Sequence, residues 1–192
     1  SDETLIDEIR GGDTASFAII VGRYRVQIYN LMYRYSGSAE DAADMTQDVF
    51  CRLFEQLKRY RSQKTFFAWL YTLALNFARD WARKKKNRKR NIDRFRREYS
   101  NRETKSPGRI LEADEQTTCL ALALQTLDGD RREMVLLKYR HERSIREIAE
   151  IFNLSESAVK MRLHRALGVL GQELKYLEYG YEISNEHRAG RD

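Results

Sequence analysis

Apolar residues recur at steps of three and four along most of the chain, the spacing of one face of a helix. Thr4–Arg10 reads as a short amphipathic helix stopped at Gly11-Gly12. Asp13 can cap the next helix, in which Phe17, Ile20, Val21, Tyr24, Ile28, Leu31 and Met32 form a stripe through about Tyr35. Ser36-Gly37 breaks it. Ser38 can cap a third helix, with Asp41 three residues on as a weaker version of a capping box. Ala42, Met45, Val49, Leu53 and Phe54 give that helix an inner face to about Tyr60. RSQKT reads as a turn. A fourth helix starts near Phe66 and carries Trp69, Leu70, Leu73, Phe77 and Trp81 before its stripe fades into basic residues.

From about Arg88 to Arg109 no stripe is sustained, and NRETKSPGR holds the chain's only proline. An irregular stretch of that length predicts a linker between domains. Beyond it, Leu120, Leu124 and Leu127 mark a helix that ends at Asp128-Gly129. Arg131–Tyr139, Ser144–Phe152 and Ser155–Lys175 give three more, and the tail YGYEISNEHRAGRD reads as frayed. The expected fold is all-α: a four-helix N-terminal domain over residues 1–95, a flexible linker over 96–110, a second small helical domain over 111–178, and a tail over 179–192.

Composition narrows the function. Of 192 residues, 42% are hydrophobic and 33% charged, enough for modest cores in a charge-rich chain. No apolar run approaches the length that spans a membrane, and the acidic start SDETLIDEIR lacks a signal-peptide pattern. A cytoplasmic protein with no membrane insertion is expected. Cys51 and Cys119 sit on apolar-patterned segments and are expected to be buried free thiols. Three scattered histidines and no CxxC or HExxH predict no metal and no cofactor. Nothing resembles an acid/base pair, a nucleophile constellation or a phosphate loop, so an enzyme is not expected. The net charge of +6 is uneven: residues 79–109 hold fourteen Lys and Arg against four acids, a local +10 that leaves the rest at −4. A concentrated basic segment points to a polyanion, although such a run can also be a solvated linker.

The sharpest motif is SIREIAEIFNLSESAVKMRLHRALGVL, residues 144–170. Ser144 can cap a helix with Ile148, Ala149 and Phe152 inward. Asn153 stands at the turn, where Asn tolerates a left-handed backbone. Leu154 plugs the junction and Ser155 caps the following helix. Small Ala149 lets the two helices approach. That spacing fits a helix-turn-helix, whose second helix enters the major groove. At about 100° per residue, Val159, Leu163, Ala166, Leu167 and Leu170 of the second helix share one side. Ser157, Met161, His164, Arg165 and Gly168 take the other, flanked by Lys160 and Arg162. Central groups can reach base edges while flanking cations take phosphates. An ordinary amphipathic helix with a solvated basic face would share part of this pattern. In DAADMTQDVFCRLF, residues 41–54, Asp41, Asp44, Gln47 and Asp48 oppose the apolar set, and alone they would pass for a solvated face.

Three motifs in this order and separation, DAADMTQDVFCRLF, FFAWLYTLALNFARDWARK and SIREIAEIFNLSESAVKMRLHRAL, resemble bacterial extracytoplasmic-function sigma factors over roughly Asp13 to Leu174. The resemblance implies a non-enzymatic promoter-specificity subunit that binds RNA polymerase core enzyme and helps open DNA at the −10 element. Asp41, Asp44, Gln47 and Asp48 would dock on the clamp helices of the polymerase's largest subunit, and the polymerase flap is a further expected contact. Charge complementarity suits such reversible docking. For −10 DNA the resemblance implies Gln56, Tyr60, Arg61, Lys64, Phe66, Asn76, Arg79 and Arg83, aromatic and basic groups that suit a single strand. Lys84–Lys86 would grip backbone beside them, while core packing is the expected role of Trp69 and Trp81. For −35 DNA it implies Ser157, Lys160, Met161, Arg162, His164 and Arg165. An anti-sigma protein is a further expected partner. The chain departs from many relatives in its basic linker NRKRNIDRFRR, part of which either extends the fourth helix as a DNA-backbone contact or is free to bind nucleic acid nonspecifically, and in LDGD where a Leu-Pro turn is common. A stand-alone helix-turn-helix regulator of duplex operators remains the alternative, but it gives the DAADMTQDVF face no task.

Overall fold

The computed structural model describes residues 1–57, 60, 65–96 and 115–189, with side chains described except those of 89–96, 115–118 and 177–189. Among these residues there are helices and no strands. The chain divides into two compact units, Ser1–Gly108 and Arg109–Asp192.

The first unit holds α1 (Asp2–Arg10), α2 (Thr14–Ser36), α3 (Ala39–Gln56) and α4 (Phe66–Arg96). Local chemistry sets the boundaries. The Asp13 carboxylate accepts from the Ala15 N–H at 2.8 Å and starts α2. Gly37, at φ 70°, ends it in a left-handed conformation that costs glycine no Cβ clash. The Ser38 hydroxyl accepts from the Asp41 N–H at 3.2 Å and starts α3. The expected capping box at this point is only half formed. The Ser38 N–H donates to the Ser36 hydroxyl at 3.2 Å, and the Asp41 carboxylate is taken by Lys85.

α2 packs against α1, α3 and α4, and α3 packs against α4. Ile20, Ile28, Leu31 and Met32 of α2 meet Met45, Val49 and Leu53 of α3 and Leu70, Tyr71, Ala74 and Leu75 of α4 in a closed core. α1 adds Ile6 and Ile9, and the Asp2 carboxylate accepts from both Arg23 and the Tyr24 hydroxyl of α2.

Two helices outlast their apolar stripes. α4 takes the extension left open for its basic run and continues to Arg96, and α8 of the second unit (Glu156–Ala189) passes its expected limit and continues through most of the tail read as frayed. The reason in α4 is backbone propensity. Between 66 and 96 there is neither Gly nor Pro, and Lys and Arg are good helix formers. A helix can outlast its apolar stripe once a packed first half has nucleated it. The span read as linker lies outside the described residues apart from Arg96.

The second unit adds α5 (Glu115–Thr126), α6 (Gly129–Tyr139) and α7 (Ile145–Phe152). α5, α6 and α7 all pack on α8, burying Ala123, Met134, Leu137, Ile148, Val159, Leu163, Ala166 and Leu170. The LDGD turn works through Asp128, whose carboxylate accepts from the Arg131 N–H at 2.9 Å and caps α6. The Arg132 guanidinium returns to the carbonyls of Leu124 at 2.9 Å and Leu127 at 3.0 Å, satisfying the end of α5.

Two expectations about burial need correction. Cys51 is exposed and Cys119 half-buried, so neither is a core thiol. Cys51 lines a groove whose other residues come from α2 and α3. Phe54 and Leu167 were expected inside, yet they are 47% and 41% exposed. Phe54 lines the same groove, its ring 4.9 Å from that of Phe17.

Candidate nucleic-acid interface

The helix-turn-helix is built from local hydrogen bonds. The Ser144 hydroxyl accepts from the Glu147 N–H at 3.1 Å, and the Glu147 carboxylate accepts in return from the Ser144 N–H at 3.0 Å, a complete capping box. Burial pushes the Glu147 carboxyl up. The Ser144 N–H and hydroxyl and the neighbouring Arg143 guanidinium outweigh it and hold the group below its ordinary value. Asn153 ends α7 at φ 53°, ψ 52°, in the left-handed region. The Leu154 N–H turns back to the Ala149 carbonyl at 2.9 Å. The Ser155 hydroxyl accepts from the Ala158 N–H at 3.2 Å and starts α8.

Burial of Val159, Leu163, Ala166 and Leu170 against α5, α6 and α7 fixes the rotation of α8. That rotation exposes Ser157, Lys160, Met161, His164 and Arg165 and leaves Arg162 half-buried at the edge. Five of the six residues expected at −35 DNA thus share a solvent face. Ser157 shares a hydrogen bond with the Ser155 hydroxyl at 3.0 Å, so it stands over the helix N-terminus.

In the first unit Asp44, Gln47 and Asp48 are exposed on α3. Asp41 is half-buried and differs from them: the Lys85 ammonium lies 3.3 Å from its carboxylate and 3.3 Å from the Ser36 carbonyl. Lys85 also stands 4.5 Å over the Trp81 ring. Beside Gln47 an apolar groove of about 1010 Å³ runs between α2 and α3, lined by Phe17, Val21, Tyr29, Phe50, Cys51 and Phe54 among others. The stripe of α2 gave no sign of this groove, because Phe17 and Val21 keep core spacing yet face it.

The residues expected at −10 DNA divide. Asn76 and Arg83 are exposed, Gln56 and Arg79 half-buried, and Arg61 and Lys64 lie outside the described residues. Arg83 pairs with Asp80 on its own helix at 2.9 Å. Tyr60 and Phe66 are 4% and 1% exposed, so in this conformation they are core residues that offer no free ring face. The Tyr60 ring packs 5.0 Å from Trp69 and 5.8 Å from Phe66. Burial pushes the Tyr60 phenol up, and the carboxylates of Glu3 and Asp2 add to this. Trp69 and Trp81 are half-buried. Arg10 was read only as the end of a helix. Its guanidinium donates to the Tyr60 carbonyl at 2.5 Å and reaches the Leu57 carbonyl at 3.5 Å. A basic residue closing a helix before Gly-Gly is too common a pattern to have signalled that role.

A helical unit with an acidic face and a basic long helix, followed by a helix-turn-helix unit, defines a two-domain promoter-recognition protein of the sigma-70 class. Residues 20–88 match the family Sigma-70 region 2, and residues 117–170 match Sigma-70, region 4. The chain is 31% identical over 184 residues to the ECF RNA polymerase sigma factor SigW of Bacillus subtilis, covering 90% of this chain and 96% of that protein. It is 25% identical over 183 residues to the RNA polymerase sigma-H factor of Pseudomonas aeruginosa, covering 92% and 95%. The chain belongs to the ECF RNA polymerase sigma factor family. Solved structures share the fold. CnrH in complex with the cytosolic domain of CnrY has a TM-score of 0.67 at 24% identity, over 91% of this chain and 97% of that one. The sigma factor RpoE of Bartonella quintana, in complex with the anti-sigma factor NepR, has a TM-score of 0.66 at 20% identity, over 83% and 96%.

Proposed function

We propose that this chain binds RNA polymerase core enzyme, directs it to specific promoters, and helps open the DNA at the −10 element. What carries the reading is the pairing, on one chain of this family, of an acidic face on α3 with an exposed cationic face on α8. Asp44, Gln47 and Asp48, with the apolar groove beside them, form the docking surface for the clamp helices of the largest subunit. An apolar centre with a polar rim is the anatomy of a reversible protein interface, and carboxylates at the rim steer a basic partner.

On α8, Met161, His164 and Arg165 face base edges in the major groove of the −35 element, while Lys160 and Arg162 hold phosphates. Gln56 and Asn76 read the −10 strand with the segment that contains Arg61 and Lys64. Tyr60 and Phe66 flank that segment in sequence and pack in the core. Arg79, Arg83, Lys84 and Lys86 hold the backbone beside it. The protein supplies recognition and strand binding, and polymerase supplies the chemistry. An anti-sigma protein that covers these faces would keep it inactive.

The test is transcription with purified components. Core enzyme plus this protein should select particular promoters from a pool of genomic fragments and make defined transcripts that core alone does not. Tight binding to duplex sites without polymerase, and no binding to core, would instead identify a stand-alone regulator.

A further inference from the structure

α1 lies outside the residues that match Sigma-70 region 2, yet its last residue reaches into the part of the unit assigned to the −10 strand. Arg10 is close to Tyr60 in space although fifty residues separate them in sequence. Its guanidinium is oriented from behind by the Asp7 carboxylate at 3.2 Å, and its side chain is only 33% exposed. From there one nitrogen donates to the Tyr60 carbonyl at 2.5 Å and reaches the Leu57 carbonyl at 3.5 Å.

These carbonyls stand at a structural junction. Leu57 closes α3, one residue beyond Gln56, and its carbonyl also accepts from the Tyr60 N–H at 3.2 Å. The C-terminus of α3 carries the negative end of its dipole, so a cation beside the Leu57 and Tyr60 carbonyls is favourable there. Tyr60 in turn packs its ring on Phe66 and Trp69 at the start of α4. A single guanidinium therefore fixes where the chain leaves α3 and how Tyr60 meets α4. Gln56, on one side of this junction, and Asn76, further along α4, are the amides assigned to base edges.

We propose that Arg10 is a positioning residue for −10 strand binding: it touches no DNA but sets the register of Gln56 and Tyr60 against α4. The inference rests on the promoter-opening function proposed above. Planar geometry matters here, because the guanidinium turns one terminal nitrogen to Asp7 and the other to the Tyr60 carbonyl in a fixed plane, whereas an ammonium is a point donor.

The test uses holoenzyme made from core polymerase and the full chain. Wild type first selects its preferred sequence from fork-junction DNA with a randomised single-stranded −10 segment, and that sequence becomes the probe. Arg10→Ala should bind core as tightly as wild type and hold duplex −35 DNA equally well. Its affinity for the selected strand should fall about tenfold, the scale of one lost charge-assisted hydrogen bond, with flattened base preference in a repeat selection. Arg10→Lys should recover part of the affinity. Core binding that falls in parallel with strand binding, or a lower melting temperature with unchanged base preference, would make Arg10 merely structural and overturn the proposal. Equal strand binding by wild type and Arg10→Ala would overturn the role of Arg10 alone. Wild-type holoenzyme that retains no strand would overturn promoter opening and this inference together.

Discussion

Charge reversal at Asp48 should separate polymerase docking from folding. Asp48 is exposed on α3 and makes no ion pair among the described residues, so Asp48→Arg should change stability by no more than about 0.5 kcal/mol. Against a basic partner the substitution removes an attraction and adds a repulsion. We expect a loss of about 2–4 kcal/mol in core binding, roughly 30- to 700-fold in Kd. Asp41 offers an internal comparison. The Lys85 ammonium 3.3 Å away already offsets its charge. Coulomb attraction at that distance is about 1.3 kcal/mol in a water-like dielectric, and exposed pairs of this kind measure about 0.2–1 kcal/mol. Asp41→Asn should therefore weaken core binding less than Asp48→Asn by about that amount, and Lys85→Ala should narrow the gap. Titration calorimetry against core enzyme gives the affinities. Fluorescence of Trp69 and Trp81, the only tryptophans and both in the first unit, checks its fold. The differences should shrink as salt rises. Unchanged affinity for Asp48→Arg, or a larger loss from Asp41→Asn than from Asp48→Asn, would refute the reasoning.

Substitutions at four positions probe the second unit. Asn153→Ala places a Cβ-bearing residue without a helpful side chain at φ 53° and should cost roughly 1–2 kcal/mol in denaturant unfolding followed by far-UV circular dichroism, while Asn153→Gly should be near neutral. Ser144→Ala removes one half of the capping box and should cost about 1 kcal/mol at neutral pH. Because the Glu147 carboxyl is held below its ordinary value, its stabilisation is complete above that ordinary value and fades as pH falls through the lowered one. Acid titration of stability should therefore bring wild type and Glu147→Gln together at low pH, and a constant gap would exclude this linkage. Arg165→Ala should cost about 1–3 kcal/mol on a preferred −35 duplex and relax sequence preference, whereas equal loss on every duplex would make Arg165 a phosphate contact.

What the sequence disclosed about the fold was mainly what short-range chemistry decides. Asp13, Ser38, Ser144 and Ser155 were each legible as caps because a cap needs only a side-chain oxygen within three residues of an N–H. Asn153 was legible because few residue types accept its backbone angles. The cationic face of α8 followed from periodicity once the leucine side was assigned inward. Periodicity does not say what faces an apolar residue. Phe17 and Val21 keep the spacing of the α2 core stripe, and Phe54 adjoins core-facing Leu53, yet all three line a groove. Stripe loss was equally a poor guide to where α4 ends, because helix continuation depends on backbone propensity and not on a buried face.

The contacts hidden from sequence were those made by cations across long separations. Arg10 to Tyr60 and Lys85 to Asp41 span 50 and 44 residues, and no local pattern in the sequence pairs either cation with its partner. Lys85 sits within a run of basic residues in which every member has the same apparent claim to a phosphate. Packing sets it apart: Trp81, one helical turn before it, turns a half-buried ring beneath the ammonium and aims it at the start of α3. The neighbouring Lys84 and Lys86 lie about 100° to either side on the helix and are exposed. A run that looks uniform in sequence is thereby divided by the geometry of one turn, with one lysine tied to the docking helix and its neighbours left to solvent or a polyanion. Net charge alone would therefore overstate the cations that α4 presents to DNA.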